Sequence, residues 1–434
     1  MNISFRRGWP YWLFLVIAVV VVRGGFIIAR SHALSDDPDA YRVIAETLSS
    51  TGVFGLPVGD GEARPTAFRP PLYPWLLSWF VGADGKLSNL PPAILQFVLG
   101  VIAVGLTWDI ARRLISVRAG LVAATIVLVD PILLWQSTLV MTETIATTLA
   151  MIVWWWWVVR VCRVSVSDTP DECNVSKMPS YLNAGVMGGL LLLTILCRPT
   201  FLVWSAMIVP AMWFAGPVCR IRRTAVIAAA VLVIVGGVSA WTLRNLTAIG
   251  HPVWGTTHGG YTLLLANNDS FYDYLEQKSW QPPWHSEAWE PTEFFEEYQS
   301  LPHTGDEWAD DRVAYEAAKS VISSRPEMFW YSCGVRMSRL WQPFPHATVV
   351  RSTASILAVG LFHTTVYVFI LVAAWRYREY LHPRHWREWI RWWPAIALVI
   401  TLSGVHAVYW SNPRMRSPAI PALAIAASAV VRRR

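Results

Sequence analysis

Ten stretches of this 434-residue chain are apolar over the length that a bilayer demands of a helix: 9 to 29, 93 to 110, 119 to 138, 143 to 160, 181 to 197, 200 to 216, 224 to 243, 353 to 375, 392 to 410 and 418 to 431. A hydrocarbon core takes roughly 20 apolar residues per helix. Several of the stretches are shorter or carry a proline, which implies tilt or burial between neighbours. Composition agrees: 54% of residues are hydrophobic and 15% charged, against roughly 25% charged in soluble chains. The 26 Trp and 14 Tyr suit membrane interfaces, where these rings collect. The expected fold class is an all-α polytopic membrane protein with about ten transmembrane helices. Arg6-Arg7 followed by an apolar run from Trp9 to Val22 resembles a signal peptide superficially. No small-x-small cleavage site with a soluble domain follows, so it reads as an uncleaved first span.

Charge orients the stretches, because Lys and Arg in short loops resist translocation. With the N-terminus inside, the inside segments carry Arg6 and Arg7; Arg112, Arg113 and Arg118; Arg160, Arg163 and Lys177; Arg220, Arg222 and Arg223; Arg376, Arg378, Arg384, Arg387 and Arg391; and Arg432, Arg433 and Arg434. These are 19 of the 36 basic residues. The long outside segments, 30 to 92 and 244 to 350, hold 7 and 14 of the 29 acidic residues. Both termini are therefore expected in the cytoplasm. The net charge of +7 reports orientation and not a nucleic-acid partner. The expected organisation is an N-terminal transmembrane module at 1–243 that includes the first outside loop (30–92), an extracytoplasmic domain at 244–350, and C-terminal transmembrane helices at 351–434. The polar segment 165 to 180 reads as a disordered cytoplasmic loop. Cys162, Cys173, Cys197, Cys219 and Cys333 form no CxxC pair, which argues against a zinc site or a disulfide framework.

Within the first outside loop, Ser35-Asp36-Asp37-Pro38-Asp39-Ala40-Tyr41 leads into a helical pattern from Arg42 to Ser50 that Gly52 stops. An N-cap role is one sufficient reason for Asp39 there; a catalytic carboxylate is the other. Next comes Phe68-Arg69-Pro70-Pro71-Leu72-Tyr73-Pro74-Trp75-Leu76-Leu77. Leu72, Trp75, Leu76 and Trp79 make an apolar face suited to lying in the interface. Arg69 begins this segment at headgroup depth, as a lipid-phosphate anchor or as the phosphate-binding group for a lipid-linked substrate.

This combination resembles the GT-C glycosyltransferases, in particular the family 39 and 83 branch of protein O-mannosyltransferases, aminoarabinose transferases and Rgt-type lipopolysaccharide glycosyltransferases. The resemblance implies that Asp39 is the catalytic carboxylate and that Arg69 contacts the donor phosphate, with Tyr41 of the Asp-Ala-Tyr run in support. Aminoarabinose transferases have Glu before the basic residue, where this chain has Phe68. Glu143 opens a strongly apolar helix, where facing lipid would cost about 2 kcal/mol or more; it is expected to face a polar cavity or to cap the helix. Its Thr142-Glu143 pair matches the second acidic position of the branch. Arg198-Pro199 also follows the pattern. So does Trp241-Thr242-Leu243-Arg244-Asn245, which reads equally well as a structural domain entrance. Arg414-Met415-Arg416-Ser417-Pro418-Ala419-Ile420-Pro421 matches Arg-x-Arg-x-Pro-x-x-Pro. Arg416 is the pyrophosphate or phosphate candidate and Arg414 a supporting one.

No GxGxxG or GxxxxGKS nucleotide fingerprint occurs. An outward-facing transferase would take its donor from a lipid carrier. The expected function is transfer of a sugar from a polyprenyl-phosphate donor to a lipid, glycan or protein acceptor. The expected setting is the bacterial inner membrane, among membrane lipids, with the site facing the periplasm. Asp39 serves as general base with inversion, and Arg69, Arg416 or Arg198 hold the phosphate. Asp39 and Glu143 could share a divalent cation, Mg or Mn. The alternatives are a lipid-linked glycan ligase, a lipid or sugar transporter or flippase, and a noncatalytic scaffold. Paired repeats and broken helices at the midplane would favour a transporter; no internal repeat is evident in this sequence.

Overall fold

The computed structural model describes residues 15–59, 62–162, 179–215, 220–277, 289, 292–345, 352–382 and 385–432. Arg6, Arg7, Arg163, Lys177, Arg384, Arg433, Arg434, Cys173, Cys219 and most of the 165 to 180 loop lie outside the described residues.

The first apolar stretch forms α1 (Leu15–Ala29). The first outside loop folds as α2 (Tyr41–Thr51), an antiparallel hairpin of β1 (Gly55–Val58) and β2 (Glu62–Pro65), and α3 (Leu72–Ser78). There follow α4 (Leu90–Leu114), α5 (Val117–Val129), α6 (Pro131–Gln136), α7 (Glu143–Val161), α8 (Pro179–Cys197), α9 (Phe201–Ala215) and α10 (Arg220–Ile249). The second outside region contains α11 (Gly259–Ala266), α12 (Asp269–Gln277), α13 (Thr292–Ser300), α14 (Glu307–Ser324) and α15 (Pro326–Trp341). After α16 (Thr353–Arg376) and α17 (Trp386–Val408), a 3-10 turn at Pro413–Ala419 leads into α18 (Ile420–Ser428).

Among the described residues each of the ten apolar stretches is mainly helical, and the fold is that of a helical polytopic membrane protein. Five helices (α4, α7, α10, α16 and α17) are long and apolar enough to cross a membrane, whereas α1, α5, α8 and α9 are shorter. The stretch 119 to 138 is broken at Asp130, whose carboxylate caps α6 by accepting from the N–H groups of Ile132 and Leu133 at 3.0 and 2.9 Å. The hairpin departs from an all-helical reading. On α3, Tyr73, Pro74 and Leu77 point inward while Trp75 and Trp79 are exposed, as expected of an interfacial helix.

α7 is the centre of the bundle. Two thirds of its apolar window is buried, against 11% for α10. It packs on α4, α8, α17, α18 and the 3-10 turn. Its four consecutive tryptophans each donate an indole N–H to a neighbouring helix: Trp154 and Trp157 to the carbonyls of Arg391 and Ile390 on α17, Trp155 to Asp109 on α4, and Trp156 to Asn183 O on α8. A buried indole without such a partner would lose stability, so this cluster fixes the rotation of α7.

α8 and α10 pack closely because Gly188 has no side chain: a Cβ there would come within 2.7 Å of Ala230 O, whereas one at Gly185 would meet nothing within 4 Å. Gly188→Val is expected to cost about 1–3 kcal/mol by overpacking and to lower the thermal midpoint of the detergent-solubilised protein. Gly185→Val should leave it near wild type, and equal effects at the two positions would show that the close approach is unimportant.

Candidate active site

Three aspartates precede α2, and they divide the work. Asp37 is the cap, accepting from Val43 N–H through Oδ2 at 3.0 Å. Asp39 is not a cap. Ala40 after it holds φ at +59°, the one non-glycine residue with positive φ among the described residues. Such left-handed backbone is costly for a residue with a Cβ and persists where surrounding contacts enforce it. It leads from Asp39 into α2, and Arg69 grips Asp39 twice: Nε donates to the main-chain carbonyl and Nη2 to Oδ1, both at 2.8 Å. The side chains of Arg69 and Asp39 are 13% and 22% exposed, so the pair is reachable.

The second carboxylate is fully enclosed. Glu143 is the first residue of α7, where the helix dipole favours an anion. Its Oε1 accepts from Arg198 Nη2 at 2.8 Å, and Arg198 Nε donates to Thr142 Oγ1 at 2.9 Å. Arg198 reaches this position because the chain turns sharply after α8, with Arg198 N–H donating to Thr194 O and Phe201 N–H to Arg198 O. Arg414 Nε stands 3.8 Å from the same Glu143 oxygen. Glu143 Oε2 is buried without a hydrogen-bond partner.

Tyr41 joins the two pairs. It is buried, edge-on to Tyr73 at 5.4 Å. Burial pushes its hydroxyl pKa up, and the charges acting on it are those of Arg69, Asp39, Arg198 and Glu143. Asp39, Tyr41, Arg69, Glu143, Arg198 and Arg414 thus form one cluster. Pro70, Pro71 and Pro199, next to Arg69 and Arg198 in the chain, line one small pocket with Ile195, Leu196, Trp241 and Trp254.

The remaining named residues lie elsewhere. Arg416 is fully buried and donates through Nη1 to the carbonyls of Leu340 and Gln342 at 3.0 and 2.6 Å; it binds the end of α15 and neither carboxylate. Arg244 donates to the carbonyls of Thr66 and Phe54, and Asn245 to Val253 O. Both tie the first loop and the 251–257 turn to α10.

Structural comparison finds this architecture in oligosaccharyltransferase AglB from Archaeoglobus fulgidus. The apo AglB structure superposes on 99% of this chain and 51% of its own, with a TM-score of 0.53 and 15% identity. AglB in complex with an inhibitory peptide and a dolichol-phosphate superposes on 98% and 50%, with a TM-score of 0.52 and 15% identity. This chain has the GT-C fold. It spans about half the length of the AglB chain it matches. No family model and no curated protein matches it.

In this chain the outer region grips the loop that carries Arg69, which the sequence did not reveal. Glu307, in the first turn of α14, accepts from Thr66 Oγ1 at 2.5 Å and from Ala67 N–H at 2.6 Å. Ala67 O accepts from Thr257 N–H, and Thr66 Oγ1 from Phe68 N–H. One turn further along α14, Asp311 accepts from Gly260 N–H at 2.6 Å. Contacts between residues some 240 positions apart leave no local signal in a sequence.

Each carboxylate already has a guanidinium at 2.8 Å, and a cation at Glu143 would face Arg198 and Arg414. Among the described residues no group of three or more His, Cys, Asp or Glu converges for a metal.

Removing one member of a buried pair strands the other, at a cost of roughly 3–5 kcal/mol. Glu143→Leu is therefore expected to destabilise the protein strongly in denaturant titrations in detergent, and Glu143→Leu with Arg198→Met to recover much of the loss. Additive losses would mean that the two do not act as a pair. Asp311 supplies a pH test. Burial raises its carboxyl pKa to about 6, against the N–H groups that donate to it. With a folded pKa above the unfolded value, its contribution is full at low pH and is lost as pH rises through about 6. Asp311→Asn should gain thermal stability relative to wild type between about pH 5 and pH 7.5. A constant gap would contradict the buried carboxylate.

Proposed function

We propose that the protein is a glycosyltransferase that moves a sugar from a polyprenyl-phosphate carrier to an acceptor hydroxyl on the extracytoplasmic face of the bacterial inner membrane, with both termini cytoplasmic. The observation that carries this reading is the pairing of a reachable carboxylate–arginine couple, Asp39 with Arg69, with a buried one, Glu143 with Arg198, around Tyr41 and beside an apolar pocket. A lipid phosphate needs cationic donors next to apolar surface, and this corner supplies both. AglB, which shares the fold, has been captured with dolichol-phosphate, which supports a carrier of the same chemistry.

In the mechanism, the donor phosphate draws Arg69 away from Asp39, and Arg414 and Arg198 add positive charge. Asp39, freed of its partner, accepts the proton of the acceptor hydroxyl. The acceptor oxygen attacks the anomeric carbon from the face opposite the phosphate. The bond from that carbon to the phosphate oxygen breaks, and its electron pair leaves with the polyprenyl phosphate. Transfer therefore inverts the anomeric centre. General-base help of this kind is worth roughly 100-fold to 10,000-fold, and guanidinium groups aimed at the leaving phosphate stabilise charge that grows in the transition state. Glu143 holds Arg198 in place and contributes no proton.

Asp39→Asn is expected to fold, to bind undecaprenyl phosphate like wild type, and to fail to restore the envelope glycan lost on deletion of the protein, as read by mass spectrometry. Restoration at the wild-type level would remove Asp39 as base. Arg69→Ala should weaken binding of undecaprenyl phosphate by the solubilised protein at least tenfold, and unchanged binding would remove the phosphate role.

A further inference from the structure

Near Arg69, the imidazole of His258 is held between two aromatic rings while its own hydrogen-bonding capacity is unused. It immediately precedes α11. Its backbone is pinned from both directions: Thr257 N–H donates to Ala67 O at 3.0 Å, and Gly260 N–H donates to Asp311 Oδ1 at 2.6 Å. Gly260 is needed for this, since a Cβ would come within 2.0 Å of Asp311 O. The ring is stacked on Tyr261, with centroids 4.7 Å apart and planes 19° apart, and meets Phe68 edge-on at 4.8 Å. The Arg69 guanidinium lies 4.3 Å over that same Phe68 ring. Neither nitrogen of His258 has a hydrogen-bond partner among the described residues.

Burial, and then the Arg69 charge, push the His258 pKa down to about 3. The ring is therefore neutral near pH 7, with one nitrogen as donor and the other as acceptor. A neutral ring beside Arg69 adds little to phosphate binding. It does match a hydroxyl, which also both donates and accepts, and the neighbouring aromatic rings suit the C–H surface of a sugar. In the donor, the sugar is joined directly to the phosphate oxygen, so a group next to the phosphate-binding arginine is within reach of it.

We propose that His258, oriented by Phe68 and Tyr261, forms the subsite that binds a hydroxyl of the donor sugar, so that Arg69 holds the phosphate and His258 selects what the phosphate carries. This rests on the lipid-phosphate donor reading above. The test titrates the full-length solubilised protein with undecaprenyl phosphate and with a panel of undecaprenyl-phosphate hexoses and pentoses. Wild type is expected to bind at least one sugar-bearing lipid more tightly than the bare lipid phosphate. His258→Phe keeps a ring in the stack and removes both nitrogens; it should lose that preference by about tenfold or more while binding bare undecaprenyl phosphate as before. His258→Gln, neutral and able both to donate and to accept, should restore part of the preference. The inference is overturned if His258→Phe keeps the wild-type preference, if it weakens bare and sugar-bearing lipid equally, or if wild type has no preference. Failure of the underlying reading looks different: wild type then binds none of these lipids, or Arg69→Ala binds the bare lipid phosphate unchanged.

Discussion

A carboxylate fully enclosed at the head of an apolar helix is the constraint around which the rest of this protein is arranged. An unpaired charge on a membrane helix costs several kcal/mol, so Glu143 requires a cation, and Arg198 is placed to supply it at 2.8 Å. That one contact sets where α8 must end, because Arg198 is the residue that follows it. The 3-10 turn at Pro413–Ala419 is drawn in as well, since it brings Arg414 to the same oxygen. Below this point the tryptophans of α7 fix its rotation against α4, α8 and α17.

The first loop and the outer region form a single working unit on top of this core. Thr66 and Ala67, shortly before Arg69, have their backbone groups occupied by partners from other elements: Phe54 and Arg244 at Thr66, and Thr257 and Glu307 at Ala67. Because Arg69 in turn holds Asp39, a displacement of α14 would be felt at the carboxylate through two hydrogen-bonded steps.

Much of this was legible in the sequence, because bilayer thickness forces long apolar runs and charge bias orients them. Among the described residues each of the ten runs is mainly helical. Glu143 was visible as a charge at the head of an apolar helix, and Asp39, Arg69 and Arg198 stood out through the resemblance of their motifs. The losses have physical causes. Three aspartates within four positions all look like caps, and only the left-handed Ala40 distinguishes Asp39, a conformation that no alanine advertises. The sequence ranks Arg416 above Arg414 as the phosphate group, but it does not display the 3-10 turn, in which residues two apart point roughly 240° from one another about the axis. One therefore reaches Glu143 while the other reaches the end of α15. The hairpin carries a proline in each strand and no clean alternation, so its pairing was hidden. His258 and Glu307 acquire meaning only through partners far along the chain.

The two ion pairs differ in a way that assigns them different duties. Asp39 and Arg69 are partly exposed, and pairs near water are worth only about 0–1 kcal/mol. In the proposed reaction an arriving phosphate offers Arg69 a more highly charged partner, and Asp39 then has the free lone pair that a base requires. Glu143 is enclosed while the Arg198 side chain is 16% exposed; leaving Glu143 buried without its partner would cost roughly 3–5 kcal/mol, so under the same proposal the phosphate meets Arg198 as a fixed positive charge. On that reading the outer pair is the part that moves and the inner pair the part that stays, and proton acceptance is conditional on donor binding: Arg69 occupies the carboxylate until a donor phosphate draws it away.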